Sequence, residues 1–196
     1  MDKFRRRLLE AMVFFSSKQG VRNPSKMMMY KLLAELDFRH FRQTGLPVTN
    51  LEYKAYKWGP LPEKLHQEIT KDDSLVLPVD FAEGLKAEKT EFTGDDGKSY
   101  EGFKYIARRK PNLKVFSPRQ VRLLEEVATI YKTATATEAS KASHEPNKPW
   151  TITVKRKGEK ALIDVLETIE LEKPLTKEIA KDRLKEQEAL TYNYGA

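Results

Sequence analysis

Cysteine is missing from all 196 residues, which excludes a disulfide framework, thiolate metal sites and a cysteine nucleophile. A chain without thiols suits a reducing compartment, and a cytoplasmic location is expected. Long apolar runs are missing too. No stretch is long enough to cross a bilayer, so no membrane partner is expected. Arg5, Arg6 and Arg7 followed by Leu8 and Leu9 imitate a secretion signal, but Glu10 interrupts the apolar stretch and no small-x-small cleavage site follows Ser16. Phe4, Leu8, Ala11, Met12 and Phe15 recur instead at helical spacing, which predicts an amphipathic helix over residues 3–17.

Sites of known chemistry are also absent. No glycine-rich turn joins a strand to a helix, which removes phosphate-loop and dinucleotide signatures, and no Gly-x-Ser-x-Gly elbow presents a serine. Histidine is scarce: His40, His66 and His144 are all there is. Asp37 lies one turn before His40, but this single Asp-x-x-His lacks the paired ligands of a zinc-binding helix. Ser143 and His144 are neighbours in sequence, which does not set up a serine-to-imidazole hydrogen bond. His144 and Trp150 are expected to lock a loop between two helices. No catalytic residue, no metal and no cofactor are therefore expected, and the chain is read as a non-enzyme.

Charge is what the sequence has in plenty. Lysine and arginine number 36 against 29 acidic residues, a net charge of +7. That balance fits nucleic acid, an anionic membrane, an acidic protein partner or a plain lysine-rich surface. The basic runs Arg5–Arg7, Arg108–Lys110 and Lys155–Lys157 are short and far apart. With 39% hydrophobic residues the chain has enough apolar side chains for a core.

The organising stretch is residues 26–62. Met29, Leu32, Leu33, Leu36 and His40 stack on one helical face, with Lys31, Glu35, Arg39 and Arg42 elsewhere on the turn. Asn23 is the expected cap and Pro24 the first helical residue. Of Met27, Met28 and Met29, at least Met29 and one neighbour are expected to fill core rather than form an adaptable surface. Gly45 is placed to close the helix in the left-handed conformation, and Pro47 keeps it from restarting. Residues 51–58 alternate as a short extended segment, Gly59–Pro62 reads as a rigid turn, and a helix carrying Leu65, His66 and Ile69 starts near Glu63. If the side bearing Tyr56 and Trp58 is exposed, Tyr56, Lys57 and Trp58 form a candidate protein-binding anchor.

Further along, Leu75–Phe81 is split by Pro78 and reads at best as an edge strand. Residues 86–109 read as a projecting hairpin turned at Gly94–Gly97. Ser117 with Gln120 and Thr135 with Glu138 are capping boxes opening two helices, the first burying Val121, Leu124, Val127, Ala128 and Tyr131. Pro146 and Pro149 bracket a turn, and a helix is expected over about residues 160–168. Beyond a break at Pro174, a charged helix over residues 176–189 carries a thin stripe of Leu175, Ile179, Leu184 and Leu190, and residues 191–196 are expected to be loose. The expected fold is α+β and mainly helical. It comprises a compact multi-helix domain over residues 1–172 with an inserted antiparallel β-hairpin, and a charged C-terminal helix and tail over residues 173–196.

The order Thr44-Gly45-x-Pro47-x-Thr49, Tyr53, Gly59-Pro60-Leu61-Pro62 resembles the Panacea domain, the SocA-like antitoxin family of phage-associated proteins. A second block in the same order supports the resemblance: Phe116 to Arg119, Leu124 to Glu126, Tyr131, Ala136 to Ala139, Ser143 with His144, and Pro149 with Trp150. The resemblance spans about residues 5–170 and assigns Gly45, Pro47, Tyr53, Gly59, Pro60, His144 and Trp150 to the family motif, with structural or recognition roles. It implies a bacterial protein that neutralises a cognate toxin, usually encoded beside it, by direct contact, in one variant also presenting the toxin to a protease, and no activity of its own. A nucleic-acid-binding or regulatory module is the alternative. It rests on the charge and on the two capped helices after Ser117, whose separation suggests a helix-turn-helix. Against it, the second helix is poor in arginine, asparagine and glutamine for reading base edges.

Overall fold

The computed structural model describes residues 1–71, 74–93, 97–171 and 175–194. In chain order the elements are α1 (Lys3–Ser16), α2 (Lys26–Thr44), β1 (Lys54–Tyr56), β2 (Gly59–Leu61), α3 (Glu63–Ile69), β3 (Thr70–Lys71), β4 (Ser74–Leu75), α4 (Val79–Ala82), β5 (Leu85–Thr93), β6 (Ser99–Ala107), α5 (Pro118–Ile130), α6 (Ala136–Ser143), α7 (Pro149–Lys157) and α8 (Lys177–Tyr194). The fold is α+β and mainly helical. Its strands form antiparallel two-stranded pairs: β1 with β2, β3 with β4, and β5 with β6.

Helix α2 runs through the middle of the molecule. α1, α5, α6 and β2 pack around it, together with the end of β6. Met28, Met29, Leu32, Leu33, Leu36 and Phe41 are fully buried, and Met27 packs partly buried beside them. The expected buried stripe is present, but burial extends around the helix to Lys31, Asp37 and Phe38. Helical periodicity marks one apolar face; it does not say that neighbours cover the others.

The cap of α2 differs from expectation. Ser25 accepts the Met28 N–H, so Asn23 is not the cap and Pro24 is not helical. The reason is tertiary: the Pro24 carbonyl accepts the Tyr105 N–H, and Ser25 bridges to Lys104, holding the chain extended along β6 until residue 26. At the other end Gly45 adopts φ 74° and its N–H closes on the Phe41 carbonyl, as the spacing predicts.

Gly59–Leu61 is a strand, not a turn. Tyr56 pairs with Gly59 and Lys54 with Leu61, so the chain reverses at Lys57 and Trp58. Residues 160–163 are not helical either. Ala161 and Ile163 hydrogen-bond along β1, and a 3-10 turn follows over Val165–Leu171. Gly158 and Lys160, both at positive φ, redirect the chain into that extended path. Pro149 opens α7 where only a turn was expected; proline at the first helical position has the backbone angle a helix needs.

The β5–β6 hairpin pairs from Leu85 with Ala107 to Thr93 with Ser99, and its base is buried through Leu85 and Tyr105. Its expected turn falls largely on residues 94–96, outside the described residues, as do Asp72, Asp73 and Pro174. Leu75 closes β4, and Val79–Ala82 forms one helical turn in place of a continued strand. Both capping boxes are formed. α5 buries Leu123 as well as Leu124, Val127 and Ala128, while Val121 is only half-buried. α8 continues to Tyr194, so residues 191–194 are helical where a loose end was expected.

Candidate recognition hairpin

The site begins with a carboxylate buried in α2. Asp37 Oδ1 accepts the N–H groups of Val48 and Thr49, both at 2.8 Å, and Oδ2 accepts the hydroxyls of Thr49 and of Tyr53, the latter at 2.9 Å. Burial pushes the Asp37 carboxyl up from its ordinary pKa, opposed by these four hydrogen bonds. The consequence is positional: the segment after Gly45 and Pro47 is tied back onto α2, and Tyr53 enters β1 with its ring edge-on to Phe38. His40 serves the same bend. Its Nδ1–H donates to the Leu46 carbonyl at 2.6 Å, and burial lowers its pKa.

From that base the β1–β2 hairpin projects, and three successive alternate carbonyls on it are held from outside. The Trp150 indole N–H donates to the Tyr56 carbonyl at 2.8 Å. The Ser140 hydroxyl donates to the Trp58 carbonyl at 2.7 Å, and Lys31 Nζ reaches the Pro60 carbonyl at 3.4 Å. Gly59 sits at φ 103°, where a Cβ would stand 2.5 Å from Ser143 Oγ and 2.7 Å from Lys31 Nζ. The backbone angle demands glycine, and a Cβ would also displace the Ser143 hydroxyl and the Lys31 ammonium. His144 stacks on Trp150 with ring centroids 3.7 Å apart and braces the indole. Its Nε2 is buried and has no hydrogen-bond partner among the described residues. Burial lowers the Lys31 pKa to about 8 and, with Lys31 nearby, lowers that of His144.

What the clamp presents is Trp58. Its side chain stands at the turn with 61% of the residue exposed, and Lys57 Nζ lies 4.9 Å from the ring centroid. Tyr56 is turned differently: its hydroxyl donates to Glu63 at 2.6 Å, and Glu63 also pairs with Lys54. The structure thus gathers Tyr53, Gly59, Pro60, His144 and Trp150 around one hairpin, while Gly45 and Pro47 set its base. Each histidine is engaged separately, His66 lying 3.0 Å from the Tyr30 hydroxyl, and no group of three metal-binding side chains stands together among the described residues. In α6, Ala139 and Ser140 face inward, leaving Glu138 and Lys141 exposed.

Sequence reasoning did not find Lys31, Ser140 or the role of Asp37. The available signal was a lysine and an aspartate inside an otherwise apolar helical run, with Thr49 and Tyr53 downstream as hydroxyl donors.

A family model for the SocA-like antitoxin, Panacea domain, matches residues 29–151. The chain belongs to this family. No curated protein and no solved structure gives a significant match. The matched span of the Panacea domain opens inside α2 and ends in α7, so it contains Lys31, Asp37, the hairpin and the clamp of Ser140, His144 and Trp150. α1, the segment 160–163 and α8 lie outside it. Among the described residues no helix is long and apolar enough to cross a membrane.

Proposed function

We propose that this Panacea-domain protein is an antitoxin that silences a cognate toxin, encoded by an adjacent gene, by direct binding without catalysis, and that Trp58 at the β1–β2 turn anchors the grip. Family membership supports the class. The single observation behind the site is a tryptophan left exposed on a hairpin whose carbonyls are held by three other elements. Tryptophan is enriched among residues that dominate binding energy, and a turn already fixed loses little freedom on docking. Tyr56 and Lys57 shape the same tip, and the interface would total about 1,600 Å² in a standard complex.

Co-expression tests the reading. The protein should restore growth of cells making the neighbouring toxin and should co-purify with it. Trp58→Ala should weaken the complex by roughly 30-fold or more, the scale of a hot-spot loss. A neighbour that is not toxic, or rescue without a complex, removes the antitoxin reading; unchanged affinity in Trp58→Ala removes the anchor alone. Delivery to a protease is a further step, and it predicts a shorter toxin half-life only when the complex forms. The nucleic-acid alternative has less support, since the exposed part of α6 includes Glu138. Duplex titration across salt tests it, because phosphate contacts give a steep log-log dependence.

A further inference from the structure

A second feature lies away from the hairpin, where the C-terminal end of α1 faces residues 106–113. The groove between them opens to solvent. Lys18, Arg108, Arg109 and Lys110 line it, and no aspartate or glutamate does among the described residues. Ile106, Pro111 and Leu113 supply apolar surface.

The cations differ in what they have to spare. Arg109 is neutralised by Glu10, which accepts both of its terminal nitrogens at 2.7 and 2.8 Å and also the Asn112 N–H at 2.7 Å. That triangle fixes one wall. Arg108 donates only to the Ala82 carbonyl, and neither it, Lys18 nor Lys110 has a carboxylate within ion-pair distance among the described residues. The carbonyls past α1 do not offset them, because Lys132 Nζ donates to those of Lys18, Gln19 and Gly20. Ser16 Oγ, also in the lining, is buried without a partner.

We propose that this groove binds an extended acidic stretch of a partner polypeptide. Three cations without carboxylate partners attract carboxylates, and the apolar surface accommodates intervening side chains. A nucleic-acid strand fits less well, since among the described residues no aromatic ring lines the groove for a base to stack on. The inference deepens the antitoxin reading by assigning the partner an acidic segment and a place to dock it.

The full chain is titrated by fluorescence anisotropy with three labelled probes: an acidic dodecapeptide of glutamate, leucine and glycine, its lysine-for-glutamate counterpart, and an oligothymidylate of the same length. The acidic peptide should bind saturably and weaken by about tenfold or more as salt rises from about 50 to 300 mM, since screening shortens the reach of these charges. Arg108→Glu with Lys110→Glu should abolish at least about nine-tenths of that affinity, while Lys181→Glu with Lys185→Glu on α8, the same change in net charge, should leave it within about twofold. Circular dichroism melts confirm that both double variants are folded. Equal losses in the two variants, tighter binding of the oligothymidylate, or no saturable peptide binding overturns the proposal. Peptide binding that survives when the neighbouring toxin proves not to be a partner leaves the groove standing and removes only the antitoxin reading.

Discussion

Asp37 and Lys31 are two charged side chains buried in one helix, and they behave oppositely. The Asp37 carboxylate accepts two backbone N–H groups and two hydroxyls, so its loss strands several donors away from water. Asp37→Ala should cost at least about 3 kcal/mol in chemical denaturation, and Asp37→Asn less, because its carbonyl can still accept from Val48 and Thr49. A cost below about 1 kcal/mol would mean that the bend is held by something else. Lys31 has one long contact to the Pro60 carbonyl and a pKa lowered by burial from 10.5 to about 8. The unfolded chain then binds more protons than the native one between those two values. Stability attributable to Lys31 therefore rises with pH across that window and is lowest below it. The shift corresponds to roughly 3 kcal/mol of penalty at neutral pH. Lys31→Met, of similar size, should stabilise the protein near pH 7 by up to that amount. The advantage over the parent should shrink towards pH 10, and a difference independent of pH would show that Lys31 is not a desolvated ammonium in the native state.

Gly45 joins two elements. It closes α2 at φ 74°, and a Cβ there would meet the Ala180 Cα at 3.0 Å, so α8 lies directly on the helix cap. Ala180 is buried against Phe41 and Ile169, and Arg183 donates to the Thr44 carbonyl. Little else of α8 is buried among the described residues: Ile179 and Leu190 of the expected apolar stripe are exposed, and Leu184 lies at the margin. A helix with so thin an apolar face depends on its docking. Ala180→Leu should raise hydrogen exchange across residues 177–190 by about tenfold or more while α2 keeps its protection. Gly45→Ala should add about 1–2 kcal/mol of backbone strain and loosen α8 as well. Unchanged α8 exchange in both variants would show that its order does not come from this contact. The β1–β2 hairpin depends on its surroundings in another way, since two three-residue strands hold little by themselves. Trp150→Phe keeps an aromatic ring against His144 but removes the donor to Tyr56. Exchange of the amides at residues 56–59 should therefore quicken with a global loss of only about 1 kcal/mol.

The whole molecule carries a net charge of +7. If its partner is acidic, that charge acts on encounter more than on residence. The association rate with the proposed toxin partner, measured by stopped flow, should fall by about tenfold or more between low and high salt, while dissociation changes by about twofold at most. A salt effect confined to dissociation would place the charges inside the contact instead. At this scale the basic runs separate into different roles. Arg5 pairs with Glu68 and Asp80, and Lys155–Lys157 occupy the last turn of α7, where cations complement the helix dipole. Arg108, Arg109 and Lys110 line a groove with no carboxylate in its lining among the described residues, and of the three only Arg109 is paired, with Glu10.

Local chemistry was readable from the chain. The left-handed glycine after α2, the capping boxes at Ser117 and Thr135, the β5–β6 hairpin and the first helix depend on a few neighbouring residues whose backbone preferences are strong. The family resemblance was legible for the same reason, as an ordered set of such residues. What tertiary packing decided was everything set by partners distant in sequence. β6 delays the start of α2, and β1 draws residues 160–163 into an extended path. Neighbours on several sides bury Lys31 and Asp37, and Lys31, Ser140 and Trp150 hold the hairpin in which Gly59–Leu61 pairs with β1, leaving Trp58 outside. Periodicity reports which side chains avoid water; it carries no information about which remote donor will meet a given carbonyl.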